Sequence, residues 1–217
     1  MNCFQLNLYP GLVHSILLQL RDPTIQQDRL RFKFNLQKLG FLLAAELSKT
    51  LPVQQVEVQT VLGKTHIDVL QQQPVLVTIL RAGLAFYQGF ADAFDQADSG
   101  FIGAYRVEAD TAHDLEIKMS YAALPDLNGR DLILIDPMLA TGGSLLKVWQ
   151  LIASQAQPRS VHVAAAIAAP EGVQALRQEL PENSYLWLGA LDQQLNEQAY
   201  IVPGLGDAGD LCFGPKL

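Results

Sequence analysis

The chain has 217 residues, with 15 Lys+Arg against 22 Asp+Glu and a formal charge of −7. Apolar residues make up 49% and charged residues 17%, enough for an ordinary buried core and too apolar for wholesale disorder. The acidic balance argues against a protein whose main task is gripping nucleic acid or an anionic membrane surface. It leaves room for a small anionic ligand, which needs only a few local donors.

Two cysteines near opposite ends, Cys3 and Cys212, make no disulfide framework and point to a reducing, cytoplasmic setting. The opening Met1 to Leu6 lacks the basic-then-apolar pattern of a signal peptide. The longest apolar run, Val163 to Pro170, is too short to span a bilayer. No linker and no internal repeat divides the chain, so a single domain over 1–217 is expected.

In chain order, Asp22-Pro23 suits a helix start, and the helical pattern runs from Arg29 to Leu51. Leu36, Leu39, Leu43 and Leu47 share one face of it. Pro52 ends the helix, and Val56 to Leu62 alternates as a half-exposed strand before a turn at Gly63-Lys64. The texture then changes. Short apolar strands are expected at Val75–Leu80, Phe101–Tyr105, Leu132–Ile135, Val161–Ala168 and Tyr185–Leu191. Helices are expected at Leu84–Phe94, from about Ser144 to Ala153, and at Glu171–Glu179. Continuous apolar strands alternating with helices imply an α/β fold, a parallel β-sheet flanked by helices on both faces. Ligands bind such sheets beyond the carboxyl ends of the strands, which directs attention to the segments after Leu80, Tyr105 and Ile135.

The strongest of these is Asp136-Pro137-Met138-Leu139-Ala140-Thr141-Gly142-Gly143-Ser144. A buried strand ends in an acid, and Thr-Gly-Gly-Ser then opens a helix. Amides at a helix N-terminus favour an anion, and glycines let a phosphate approach the main chain. Thr141 and Ser144 add hydroxyl donors, and Asp136 is an acceptor for a sugar diol or a hydrated metal. Arg81 follows a strand directly and offers a planar fork suited to a diphosphate. Arg106 follows Tyr105 in the same way and opens a polar arm from Arg106 to Met119. Near the C-terminus, Gly204, Gly206, Gly209 and Gly214 lie among the apolar anchors Ile201, Val202, Leu205 and Phe213. That mixture suits a folded loop whose main chain reads a ligand edge. His14, His66, His113 and His162 have no metal-ligand spacing, and no Ser-His-Asp or Cys-His pairing suggests itself. Trp149 and Trp187 read as core.

The 136–144 stretch resembles the phosphoribosyl diphosphate (PRPP) loop of the type I phosphoribosyltransferases, and its wording resembles the uracil phosphoribosyltransferase family in particular. Ile79 to Leu84 is similar to that family's pyrophosphate-side loop, and Tyr200 to Asp210 to its C-terminal uracil hood, here expected mainly within 192–217. The resemblance runs in order from about Leu20 to Gly214. It implies a Mg²⁺-dependent transfer of phosphoribose from PRPP to uracil, giving UMP and diphosphate in pyrimidine salvage. Arg81, Arg106 and Asp136 would be catalytic. PRPP would be held by these three, by Pro137, Met138, Leu139, Ala140, Thr141, Gly142, Gly143 and Ser144, and by Asp207. Ile201, Gly206, Asp207 and Ala208 would hold uracil, and Mg²⁺ would be bound through PRPP and water rather than by protein ligands.

The general base for uracil stays open between the carboxylate of Asp207 and hydrogen bonds that favour an ionised base. The family pattern departs at Phe32-Lys33, in the arm, and at Tyr121-Ala122-Ala123-Leu124-Pro125, positions that serve assembly or effector response in relatives, so regulation by a nucleotide is not expected to transfer. A homodimer or higher homo-oligomer is expected from the apolar N-terminal helix. Two rivals are an RNA-binding regulator on the same scaffold, opposed by the charge of −7, and a non-catalytic PRPP or nucleotide sensor, opposed by the intact loop and hood.

Overall fold

The computed structural model describes residues 1–107 and 116–215, with backbone alone for 105–107 and 116–118. The chain opens with an edge strand, β1 (Asn2–Gln5), and then α1 (Leu12–Arg21) and α2 (Arg29–Ser48). A hairpin, β2 (Val53–Gln59) and β3 (Lys64–Leu70), precedes β4 (Val75–Leu80), α3 (Gly83–Ala93), β5 (Asp98–Val107) and β6 (Glu116–Ala123). Then come β7 (Asp131–Ile135), β8 (Met138–Leu139), α4 (Gly143–Ala153), β9 (Ser160–Ala168), α5 (Pro170–Glu179) and β10 (Tyr185–Leu191). A small pair, β11 (Gln194–Leu195) and β12 (Ile201–Val202), leads to α6 (Ala208–Phe213). Among the described residues, no helix is long and apolar enough to cross a membrane.

The central sheet runs β1-β10-β9-β7-β4-β5-β6, with β8 added beside β9. All its neighbours are parallel except β5 and β6. The expected parallel sheet flanked by helices is therefore the observed architecture. The side-chain period of a strand is two, and here it sorts the core into two layers. Leu76, Ile133, Ile135, Ala164, Ala166 and Trp187 face α1, α2 and α3. Val75, Val77, Ile79, Leu132, Leu134, Val163 and Leu188 face α4 and α5. Both sets are buried, which is why these strands read as continuous apolar runs.

The fold corrects two expectations and adds to two others. Asp22 closes α1 rather than opening α2: its amide donates to Leu18 O, and its carboxylate accepts from the Thr24 amide and hydroxyl. The cap of α2 is Asp28, which accepts from the Arg31 amide at 3.0 Å. The strand placed at Val56–Leu62 is displaced to Val53–Gln59, because the Thr60 hydroxyl accepts from the Gly63 amide and turns the chain. Its partner β3 was not foreseen, and the hairpin stands apart from the central sheet. The arm placed at Arg106–Met119 has strand backbone at 106–107 and 116–119, paired antiparallel between β5 and β6; its 108–115 portion lies outside the described residues.

Two details govern packing near the helices. Gly40 of α2 and Gly89 of α3 face each other so closely that a Cβ on Gly89 would lie 2.0 Å from Gln37 O, and one on Gly40 2.3 Å from Phe86 O. Gly89→Ala is expected to cost about 2 kcal/mol by overpacking, measured as a lower urea midpoint.

On β9, His162 is 1% exposed and lies in a polar chain. Trp187 Nε1 donates to its Nδ1 at 3.1 Å, and its Nε2 meets Ser160 Oγ at 3.0 Å. Ser160 Oγ donates to Asp131, which Arg159 also grips, and the Tyr185 ring stacks on the imidazole. Burial lowers the His162 pKa from 6.5 to about 4, opposed by the Asp131 charge. The unfolded chain therefore takes up this proton near pH 6.5 and the folded chain only near 4. Stability is full above pH 6.5 and is lost as pH falls towards 4. Between pH 7 and pH 5 this one group is expected to remove about 2 kcal/mol, and His162→Gln to flatten that slope in urea titrations at the two pH values.

Candidate active site

The carboxyl edge of the central strands opens into a cleft of about 260 Å³. Its lining includes Leu80, Arg81 and Ala82 after β4, Asp136, Met138, Ala140 and Ser144 after β7, and Tyr200, Ile201, Gly206, Asp207 and Ala208 from the C-terminal segment. Three stretches far apart in the chain, each singled out by its own local pattern, thus meet in one space.

The 136–144 loop is held from below. Asp136 N donates to Ala164 O, the Pro137 carbonyl accepts from the Ala166 and Ile167 amides, and the Leu139 carbonyl accepts from the Ala169 amide. The short β8 pairs with β9 through Met138 and Leu139. Pro137 and Leu139 are consequently buried, with Leu139 in the α4–α5 core layer, so the cleft sees side chains from Asp136, Met138, Ala140 and Ser144 instead. Half-buried Asp136 accepts the Met138 amide on Oδ1 at 3.1 Å, which fixes its carboxylate at the cleft wall. Gly142 caps α4 with φ +82°, a conformation for which glycine is suited. Thr141 Oγ1 accepts the Gly143 amide at 3.3 Å. Of these four residues Ser144 lines the cleft, and Thr141, Gly142 and Gly143 form the turn beside it that leads into α4.

Arg81 follows a cis peptide at Leu80–Arg81. Its guanidinium, 40% exposed, donates to Asp210 Oδ1 at 3.1 Å and to Gly214 O at 3.3 Å. The loop after β4 and the C-terminal hood are therefore tied by an ion pair. Arg106 continues the β5 backbone, while its side chain lies outside the described part.

The hood is an ordered unit. β11 and β12 pair antiparallel, and Asn196 Oδ1 accepts the Gln198 and Tyr200 amides, closing the turn between them. Ala199 takes φ +60° in that turn. Asp207 caps α6 by accepting the Asp210 amide at 3.0 Å. Glu171 at the start of α5 accepts the Leu195 amide and ties the hood to the α/β layer. Ile79, Leu80, Ala82, Ala104, Ala199, Tyr200 and Gly209 also line the cleft and were not named as site residues. Tyr200 carried a signal, as an aromatic beside the glycine-rich stretch; the alanines carried none. The two cysteines are free thiols, and burial pushes Cys212 up to about 11, so it stays protonated and unreactive.

Comparison with known proteins agrees with this geometry. The family model described as "Uracil phosphoribosyltransferase" matches residues 10–215. The chain is 42% identical to a uracil phosphoribosyltransferase of Porphyromonas gingivalis, over 97% of this chain and 99% of that one. It is 43% identical to one from Symbiobacterium thermophilum, over 96% of each. A solved structure from Aquifex aeolicus superposes with a TM-score of 0.85 at 33% identity, covering 97% of this chain and 98% of that one. A hypoxanthine phosphoribosyltransferase of Staphylococcus aureus, 18% identical with a TM-score of 0.50, covers 75% of this chain and 76% of its own, and shares the fold. By sequence over nearly its whole length, the chain belongs to the uracil phosphoribosyltransferase family.

Proposed function

We propose that the chain transfers the phosphoribosyl group of PRPP to uracil, forming UMP and diphosphate. The observation that carries this reading is the convergence of the 136–144 loop, the Arg81 loop and the hood on one cleft. Function is argued from such a site rather than from the fold alone.

The residues divide the work by position. The amides at the start of α4, with the Thr141 and Ser144 hydroxyls, hold the 5′-phosphate and orient the sugar. The Asp136 carboxylate holds the ribose hydroxyls or supports positive charge developing at the anomeric carbon. Arg81 exchanges Asp210 for the departing diphosphate, a charge-assisted contact that strengthens as negative charge accumulates. Arg106, whose backbone continues β5 beside β4, is given to the same diphosphate by the family resemblance. Main-chain groups of Ile201, Gly206 and Ala208 read the uracil edge, and Asp207 stands between base and diphosphate. The proton on uracil N1 goes to the Asp207 carboxylate, or to water from a base whose ionised form the hood favours.

Among the described residues, no cluster of three or more His, Cys, Asp or Glu forms a metal cage. The cleft does offer the carboxylates of Asp136 and Asp207. Magnesium is commonly bound by one or two carboxylates together with substrate phosphates, so this donor set fits Mg²⁺ carried in on PRPP, where it would neutralise charge on the diphosphate. Free thiols support a reducing cytoplasm. Exposed Leu12, Phe34 and Phe41 on α1 and α2, and a detached hairpin whose Val61 and Leu62 tip is bare, support a homo-oligomer.

The direct test is UMP formation from uracil, PRPP and Mg²⁺; no product would end this reading. Asp136→Asn keeps the acceptor for the Met138 amide and is expected to lower kcat by about 10²–10³ without changing the melting temperature. Ala208→Val narrows the base end of the cleft. It is expected to raise KM for uracil about tenfold or more while the PRPP dissociation constant stays as in the parent.

A further inference from the structure

Beyond the cleft lining, a partly buried ion pair joins α1 to the hood, and the proposed chemistry does not use it. Asp192 follows the end of β10, and its side chain is 4% exposed. Its partner is Arg21, in the last turn of α1. Arg21 Nη1 donates to Asp192 Oδ2 at 2.9 Å and Nη2 donates to Oδ1 at 2.5 Å, a bidentate fork. The same Nη1 donates to Gly204 O at 3.2 Å, and Gly204 N donates to Asp192 Oδ2 at 2.9 Å. One ion pair therefore satisfies both main-chain polar groups of Gly204.

Gly204 is fixed in other ways too. Its φ is +65°, and a Cβ there would lie 2.1 Å from Ile201 O. On the strand side, the Gln193 amide donates to Val202 O at 3.0 Å. On the other side, the Gln26 side-chain amide lies 2.8 Å from Leu205 O, and assigning its nitrogen to that side lets it donate to both Leu20 O and Leu205 O. Two residues beyond Gly204 lies Gly206, followed by Ala208, both in the cleft wall.

We infer that Arg21 and Asp192 are positioning residues for base recognition, setting the Gly206–Ala208 main chain by holding Gly204 from both sides. This rests on the reading that Ile201, Gly206 and Ala208 contact uracil. Main-chain hydrogen bonds to a flat base tolerate little displacement, because they weaken steeply with distance and angle. A misplacement of about 1 Å can cost on the order of a hundredfold in rate. The 136–144 loop hangs instead on β9, through the Ala166, Ile167 and Ala169 amides, and none of those bonds involves the ion pair. The pair should act on uracil and leave PRPP binding alone.

A stabilising role alone would behave differently. Replacing both members of a buried ion pair by apolar residues is often neutral for stability, whereas removing one strands a charge. The test therefore uses Arg21→Lys, which keeps the charge and loses the fork, and the double variant Arg21→Met with Asp192→Leu, which removes both charges. Three quantities are measured: KM for uracil, kcat, and the dissociation constant of PRPP by calorimetry without uracil. Both variants are expected to raise KM for uracil roughly tenfold or more, with PRPP binding unchanged within about twofold and the double variant folded at the parent's urea midpoint. An unchanged KM for uracil in the double variant overturns the inference, as does a rise in KM matched by an equal loss of PRPP binding. Ala208→Val separates the two layers of argument. If it raises KM for uracil and the ion-pair variants do not, the positioning role falls alone. If it leaves KM for uracil at the parent's value, the base-reading role falls, and the inference with it.

Discussion

The register of β4 against β7 is the constraint on which the cleft depends. Thr78 sits opposite Ile135 in that pairing, and its hydroxyl donates to the Ile135 carbonyl at 3.1 Å in full burial. Gly83 lies directly over this bond, where a Cβ would come within 2.2 Å of Thr78 Oγ1. The start of α3 thus clamps the pair from above. One residue beyond Ile135 is Asp136, and three beyond Thr78 is Arg81. A slip of one residue would turn every side chain of β4 to the other face, exchange the two core layers, and separate the arginine from the acid. The cleft at the carboxyl edge of the sheet thus depends on a hydrogen bond in the interior.

Among the described side chains, the site carries little net positive charge for a protein that would bind a diphosphate. Arg81 is matched to Asp210, and Asp136 and Asp207 stand in the wall. Among the described residues, oriented amides and hydroxyls at the start of α4 are also on hand for an anion, and the overall charge of −7 does not register them. An acidic surface and an anionic substrate are compatible because the donors that matter are dipoles held in place.

Legibility in the sequence followed the range of the physics. The 136–144 loop was readable because strand, acid, glycines and hydroxyls are contiguous and each has a local cause. The hood was readable from apolar anchors among glycines, although its β11–β12 pair and the Asn196 turn were not. Arg21 and Asp192, by contrast, are 171 positions apart. Nothing local marks an arginine at the end of a helix and an aspartate after a strand as partners. Asp22 and Asp28 show a subtler limit. Both are good caps, and only the length of turn needed between α1 and α2 decides which one serves. In β3, Thr65, Ile67 and Val69 alternate as a strand should, but the residues from Lys64 to Val69 are exposed, so no burial contrast advertised it.

The glycine crossing of α2 and α3 reaches beyond packing. With no side chain between them at Gly40 and Gly89, the two helices touch backbone to backbone and behave as one strut. The Arg81 loop feeds directly into α3. The hood helix α6 leans on α2, with Lys33 over the Phe213 ring and Gly214 against the Arg29 guanidinium. Two walls of the cleft are therefore mounted on the same beam. Their separation is set at assembly of the core, like the jaws of a fixed-gap gauge.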